Sequence, residues 1–353
     1  MSGTFRLLLA LLVAISHLVQ DDRIGHFGHF AVRGFFVLSG FAITAALNEG
    51  YHFDMRRFWA NRLLRLLPMY LLACLATALV ICTWPDEAGV FMPRWSMAHD
   101  WTDVAQNLLI IPLAFENLQF RYVEPAWSIA VELVMYILLC LGIARTERSA
   151  FLAFCVGTIY HCIALYADVP FGLRYFGIEA AIPSFCMGAL AYFSLKRGVF
   201  RPSAGWVAFT GIIWLTNLLF ANGSAVPADY DEDSGFYLNT LLVVPLVVGL
   251  SLIKPGAVIR KIDGFLGELA YPFFLTQWIG GFLAHQLLLP SEWRGCGLAF
   301  AAAPIILAIS AVFVLMQNWL VEPTRDLIRG KDPQTDHSSA RNGLRRTSSW
   351  VHP

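Results

Sequence analysis

The sequence predicts an all-α, polytopic bundle of about ten transmembrane helices with both termini on the cytoplasmic side. Three observations carry that expectation. The chain of 353 residues is 57% hydrophobic and only 14% charged, with a mean hydropathy of +0.59, more apolar sequence than a soluble core of this size can bury. Apolar runs near the roughly 20 residues needed to cross a bilayer recur along almost the whole chain, separated by short polar breaks. The basic residues, finally, collect in alternate loops.

Taken in order, the predicted spans are 5–20, 27–47, 63–83, 127–144, 149–166, 172–195, 204–221, 236–253, 265–288 and 296–321. The first could pass for a cleavable leader, with Arg6 before an apolar stretch and small residues at Ala14 and Ser16, but it is read as a span that stays. Of the 25 Lys and Arg residues, 19 fall in alternate breaks: Arg6, the Arg56–Arg65 group, Arg145 and Arg148, the groups around Arg197 and Arg260, and six from Arg325 to Arg346. Those breaks are assigned to the cytoplasm. The opposite breaks carry Asp21, Asp22 and the acidic run Asp229, Asp231, Glu232 and Asp233. Both ends then lie inside, which requires an even number of spans.

The longest break, 84–126, is rich in Trp, Pro and acid, and its apolar piece 108–115, interrupted by Pro112, is too short to cross; it reads as interfacial or re-entrant. Residues 1–329 form the membrane domain in this reading, and 330–353, poor in apolar residues, form a disordered cytoplasmic tail. The seven cysteines are scattered, odd in number and without a CxxC pair, so neither a disulfide framework nor a metal site is indicated. No nucleic-acid partner is expected.

Ionisable side chains inside a membrane cost several kcal/mol unless paired or wetted, so each is a functional candidate. Here they are His17, Arg33, Glu132 and Glu179. Eleven helical steps separate Arg6 from His17, which returns them to one face about 16 Å apart along the axis. Counted from the outer ends of their spans, His17, Arg33 and Glu132 fall at similar depth. They could meet as a general base with an orienting carboxylate. The alternative is an Arg33–Glu132 structural ion pair beside a His17 that only bridges helices. On the cytoplasmic side Arg56, Arg57, Arg62 and Arg65 gather before a span. Arginine suits phosphate through its planar two-pronged donor set, although such residues also satisfy the positive-inside rule and touch anionic lipid.

At this point the residues resemble a family. GHFAVRGFFVLSGFAIT at 28–44, the Arg6–His17 spacing before it, FWANRLLRLLPMYLLA at 58–73, WSIAVELVMYILL at 127–139, LGELAYPFFLTQW at 266–278 and VEP at 321–323 are similar, in that order, to the successive signatures of the acyltransferase family 3 membrane proteins. The resemblance implies ten core helices, an acyl-CoA donor, commonly acetyl-CoA, entering from the cytoplasm, and transfer to a hydroxyl of a cell-surface or exported glycan or glycolipid at the outer face of a bacterial inner membrane. It maps donor binding onto Arg6, Arg57, Arg62 and Arg65, and catalysis onto His17 and Glu132, with His17 either a base or a transient acyl carrier and no metal required. Two positions depart from the pattern: Gln277 stands where relatives often carry His, and Arg33 where they carry other polar residues. No segment resembles the soluble esterase-like domain that some members append, so transfer is expected to be completed by the membrane domain or a separate partner. A secondary transporter or a glycan-export protein would also keep ionisable groups in the membrane, but a transporter would usually show two related halves with broken helices, and none is visible.

Overall fold

The computed structural model describes residues 2–19, 24–97, 100–116, 118–221, 228–289 and 294–328, with the backbone alone at 228–234; every regular element among them is helical. Asp21, Asp22, the side chains of Asp229, Asp231, Glu232 and Asp233, and the tail 330–353 lie outside the described residues.

In chain order the helices are α1 (Ser2–Val19), α2 (His26–Ala45), α3 (Met55–Thr83), α4 (Pro85–Phe91), α5 (Trp101–Leu109), α6 (Ala126–Leu138), α7 (Glu147–Tyr166), α8 (Phe171–Phe176), α9 (Ile178–Lys196), α10 (Ala204–Phe220), α11 (Ala228–Leu252), α12 (Ala257–Leu287), α13 (Cys296–Leu320) and α14 (Glu322–Ile328). Among the described residues eight spans are long and apolar enough to cross a membrane, α2 and α6 being carried on to Gly50 and Ile143 by π-helical turns. Two further predicted positions hold α10, which has 17 residues, and α12, which has 31 but interrupts its apolar stretch with Gln277 and His285. The predicted span 172–195 is two helices, because Gly177 takes an extended conformation with ψ 155° between α8 and α9. The piece 108–115 is likewise broken: α5 ends at Leu109 and the buried Ile110 turns the chain at φ 65°, a conformation that β-branched residues rarely adopt.

Hydrophobic burial does not hold helices together in lipid, so close packing and polar contacts must. Helices α2 and α9 cross where a Cβ added at Gly40 would lie 2.1 Å from the Phe185 carbonyl oxygen and one at Gly188 2.1 Å from that of Val37. Only glycine permits that approach. The start of α1 abuts α12, where the Asp263 carboxylate accepts hydrogen bonds from the Thr4 amide at 2.9 Å and the Gly3 amide at 3.3 Å, donors that a helix start leaves without partners. Pro68 inside α3 cannot donate to the carbonyl of Leu64, and Gln317 of α13 supplies the donor at 3.2 Å instead.

Helices α1, α2, α6, α9 and α12 make the centre. The outer faces of α7 and α13 expose Phe151, Val156, Ile159, Phe300 and Leu315, as surfaces against acyl chains do.

Candidate active site

Three cavities line up from the Arg6 end of α1 to its His17 end. The first, of about 450 Å³, lies between the start of α1, α3, α12 and α13 and is bordered by Arg6, Arg65, Arg260, Asp263, Glu268 and Arg325. The second, of about 110 Å³, shares Arg6, Arg65, Gly267 and Tyr271 with it and adds Arg62, Ser39, Glu132 and Tyr136. The third, also of about 110 Å³, shares Val32 and Ser128 with the second and contains His17 and His29.

In the middle cavity one oxygen of Glu132 accepts hydrogen bonds from the Ser39 hydroxyl at 2.5 Å and from the Tyr136 hydroxyl. The carboxylate is thereby fixed and its second oxygen remains available. Arg62 is buried, with its guanidinium 5.5 Å from the Phe58 ring centre and 5.8 Å from that of Tyr136, and its Nε has no hydrogen-bond partner. Two rings thus hold a cation in place by their π faces and leave its donors to a ligand. Arg6, Arg62 and Arg65 together make an anion-accepting wall with Glu132 as its one carboxylate.

The outer cavity is set by α1 and α2, which approach closely because Gly28 faces Ser16; a Cβ there would lie 2.4 Å from the Ser16 Oγ. His17 Nδ1 is 3.1 Å from Oε1 of Gln277 on α12, and the Gln277 amide nitrogen donates to the Phe274 carbonyl at 2.9 Å. The second bond fixes the amide, so its oxygen faces His17 and can only accept. Nδ1 therefore carries the proton and Nε2 keeps its lone pair, with no partner among the described residues. Trp278 lies beside the imidazole with ring centres 5.4 Å apart, and Arg294 covers Trp278 at 4.8 Å and Phe91 at 4.1 Å. Burial pulls the Arg294 guanidinium, which sits beyond the end of α12, down to about 10, still a cation at neutral pH.

The residues singled out from the sequence fall in different places. Arg6, Arg62, Arg65 and Glu132 share a cavity. Arg57 does not join them, because its guanidinium donates twice to the Ile328 carbonyl, at 3.0 and 3.1 Å, and so anchors α14. His17 and Glu132 do not meet: they line neighbouring cavities, and the side chain that orients His17 is Gln277. Depth counting placed them together because it ignores which face of each helix turns inward. Arg33 meets neither. It is 1% exposed and donates to the carbonyls of Ala180 and, at 2.9 Å, Arg174, with the Phe236 ring 5.0 Å away. Arg174 belongs to α8 and Ala180 to the first turn of α9, so the guanidinium spans the break at Gly177. Sequence reasoning missed Ser39, Tyr136 and His29; the polar positions one and two turns from the known candidates were the available signal.

The acyltransferase domain model matches residues 4–316. A protein of Staphylococcus aureus strain COL, provisionally designated an O-acetyltransferase, is 26% identical over 302 residues, covering 76% of this chain and 48% of the relative. The O-acetyltransferase OatA of S. aureus strain NCTC 8325 is 25% identical over 288 residues, 71% of this chain and 45% of the relative. The chain thus spans about half the length of the curated relatives it matches. No solved structure gives a significant match. With the family model running through nearly every membrane helix and holding all the ordered motifs except the closing VEP, the chain belongs to the acyltransferase 3 family of integral membrane proteins.

Proposed function

We propose that this protein moves an acyl group, acetyl in the first instance, from acyl-CoA to a hydroxyl of a cell-surface or exported glycan such as an exopolysaccharide or lipopolysaccharide. The observation that supports this most is the succession of cavities, charged and arginine-lined at the Arg6 end and leading to an unpartnered His17 Nε2 about 16 Å further along α1. In this reading ten spans place both termini in the cytoplasm of a bacterial inner membrane, and α10 and α12 join the eight apolar helices. CoA phosphates rest on Arg6, Arg62 and Arg65 while the pantetheine arm runs toward His17. Arg57 would reach a phosphate only by giving up the Ile328 carbonyl.

Chemistry follows from the tautomer. His17 Nε2 takes the proton of the acceptor hydroxyl as that oxygen attacks the thioester carbonyl carbon. The C–S bond breaks, the thiolate takes the proton back from the imidazolium, and the products are the O-acyl ester, free CoA and neutral His17. Glu132, held by Ser39 and Tyr136, keeps the arginine wall in order from the other side of the middle cavity. The acyl-carrier route uses the same Nε2 and differs only in forming an acyl-imidazole before the acceptor arrives.

The test is acetyl-CoA itself. Calorimetric titration of the purified protein in detergent should show saturable binding that the Arg62→Gln, Arg65→Gln double variant weakens, and radiolabelled acetyl should remain on the protein without acceptor only if the acyl-carrier route operates. A folded protein that binds no acetyl-CoA would rule this function out and favour a transporter.

A further inference from the structure

We propose that the outer cavity is the seat of the acceptor's sugar ring and that His29 is a second substrate-binding imidazole there, facing the same space as His17; this rests on the acyltransferase reading above. The cavity residues divide into two kinds. Trp127, Tyr175 and Phe176 form an aromatic wall, packed edge to face with ring centres 4.6 to 5.2 Å apart. His17, His29, Ser16 and Ser128 supply the polar atoms.

Among the described residues lining this cavity none is Asp, Glu, Lys or Arg, whereas the two cavities toward the Arg6 end carry Arg6, Arg62 and Arg65. A charged ligand therefore finds no counter-ion among them. Three of the four polar groups, those other than His29, are also of one type. The Ser16 hydroxyl donates its proton to the Val13 carbonyl at 2.8 Å and the Ser128 hydroxyl donates its own to the Pro125 carbonyl at 2.8 Å, so each presents only oxygen lone pairs to the cavity. His17 presents Nε2 as an acceptor for the reason given above. A cavity with an aromatic wall and several hydrogen-bond acceptors suits a neutral ligand with hydroxyl donors and an apolar face, which is the description of a pyranose. Since one water needs about 10–15 Å³ measured in the same way, about 110 Å³ is room for one ring.

Within this set His29 is the group without another occupation. Its ring stands edge-on to Tyr175 at 4.5 Å and against Phe171 at 5.1 Å, which fixes its plane, and neither nitrogen has a hydrogen-bond partner among the described residues. Other histidines in the bundle are engaged at once: His26 bonds the Leu218 carbonyl, and His161 bonds the Tyr237 hydroxyl and the Ala180 carbonyl. An imidazole can donate from one nitrogen and accept at the other, so His29 can hold a hydroxyl of the sugar next to the one that His17 deprotonates, and thereby choose which oxygen is acylated.

The experiment measures CoA release from acetyl-CoA by the purified full chain in detergent, with and without methyl glycosides of glucose, rhamnose and N-acetylglucosamine as probes. At least one glycoside should stimulate release. His29→Phe and His29→Leu should raise its KM by about tenfold, the loss of one hydrogen bond to a bound hydroxyl, and scatter the position of acetylation seen by NMR, while the KM for acetyl-CoA stays unchanged. Trp127→Leu should raise the glycoside KM in the same way. An unchanged glycoside KM in folded His29 variants, or no stimulation by any of the three sugars while acetyl-CoA still binds, would overturn the proposal. Loss of acetyl-CoA binding in the unaltered protein would instead defeat the acyltransferase reading on which it rests.

Discussion

Replacing Gln277 with Leu should lower turnover without unfolding the bundle, and the size of the effect follows from the hydrogen bonds around it. Gln277 is fully buried, accepts from His17 Nδ1 at 3.1 Å and is itself held by the Phe274 carbonyl at 2.9 Å. Leucine fills a similar volume, so packing changes little. The Nδ1–H loses its acceptor, and leaving a buried donor without one costs about 1–3 kcal/mol, relieved only if the ring rotates or changes tautomer. Either adjustment removes the Nε2 lone pair from its productive place, so kcat should fall by about 10- to 100-fold at unchanged acetyl-CoA affinity. Gln277→Glu restores an acceptor at the same position and should recover much of the loss, a rescue that a purely structural role would not show. The assay is acetyl transfer on purified variants with thermal stability recorded on the same samples. Wild-type kcat in a folded Gln277→Leu protein would refute the assignment of Gln277 as the residue that positions His17.

Other consequences are checked separately. The Arg62→Gln, Arg65→Gln double variant should weaken acetyl-CoA binding by about tenfold or more, since hydrogen bonds to charged groups are worth about 1.5–3 kcal/mol; unchanged affinity in calorimetry would reduce these residues to topology signals. Gln317→Leu leaves the carbonyl opposite Pro68 without a donor and should lower stability by about 1–3 kcal/mol, read as a fall in the detergent melting temperature. Gly188→Val places side-chain atoms against the Val37 carbonyl, so it should separate α2 from α9 and abolish recovery of folded protein, whereas Val199→Ala on the exposed surface should not. Reporter fusions near residue 231 should behave as external and those near Arg260 as cytoplasmic; a cytoplasmic result at 231 would overturn the ten-span topology.

Much of the architecture was legible because the bilayer imposes a length and a composition on every span, and those are properties of one-dimensional sequence. The same constraint explains what was hidden. Helix α12, read from its apolar run as the span 265–288, carries Gln277 and His285 within that stretch and is less apolar than the eight that meet the hydropathy expected of a span. Arg62 and Arg65 drew attention because they stand one turn apart beside Pro68, and in the structure both line one cavity with Arg6. Partner choice was not. Whether His17 faces Glu132 or Gln277 depends on how α6 and α12 are rotated, and that rotation is set by contacts such as Gly3 against Asp263 and Tyr271 against the Leu66 carbonyl, which pair residues more than 200 positions apart. Gln277 looked like the loss of a family histidine; in the fold its oxygen faces His17 Nδ1 and fixes the tautomer. Arg33 was a candidate by depth alone and instead bonds the Arg174 carbonyl of α8 and the Ala180 carbonyl of α9 across the break at Gly177, a break inside one predicted span.

The most direct test of the central claim, that His17 Nε2 is where donor and acceptor meet, is a single comparison of His17→Ala with the unaltered protein in proteoliposomes. Acetyl-CoA affinity, melting temperature and acetyl transfer are measured on the same preparation. The expected result is a protein that folds and binds acetyl-CoA as before but transfers acetyl about 10²- to 10⁴-fold more slowly, the usual loss for a positioned base. A His17→Ala protein that transfers acetyl at the normal rate, or one whose only defect is a lowered melting temperature, would contradict it.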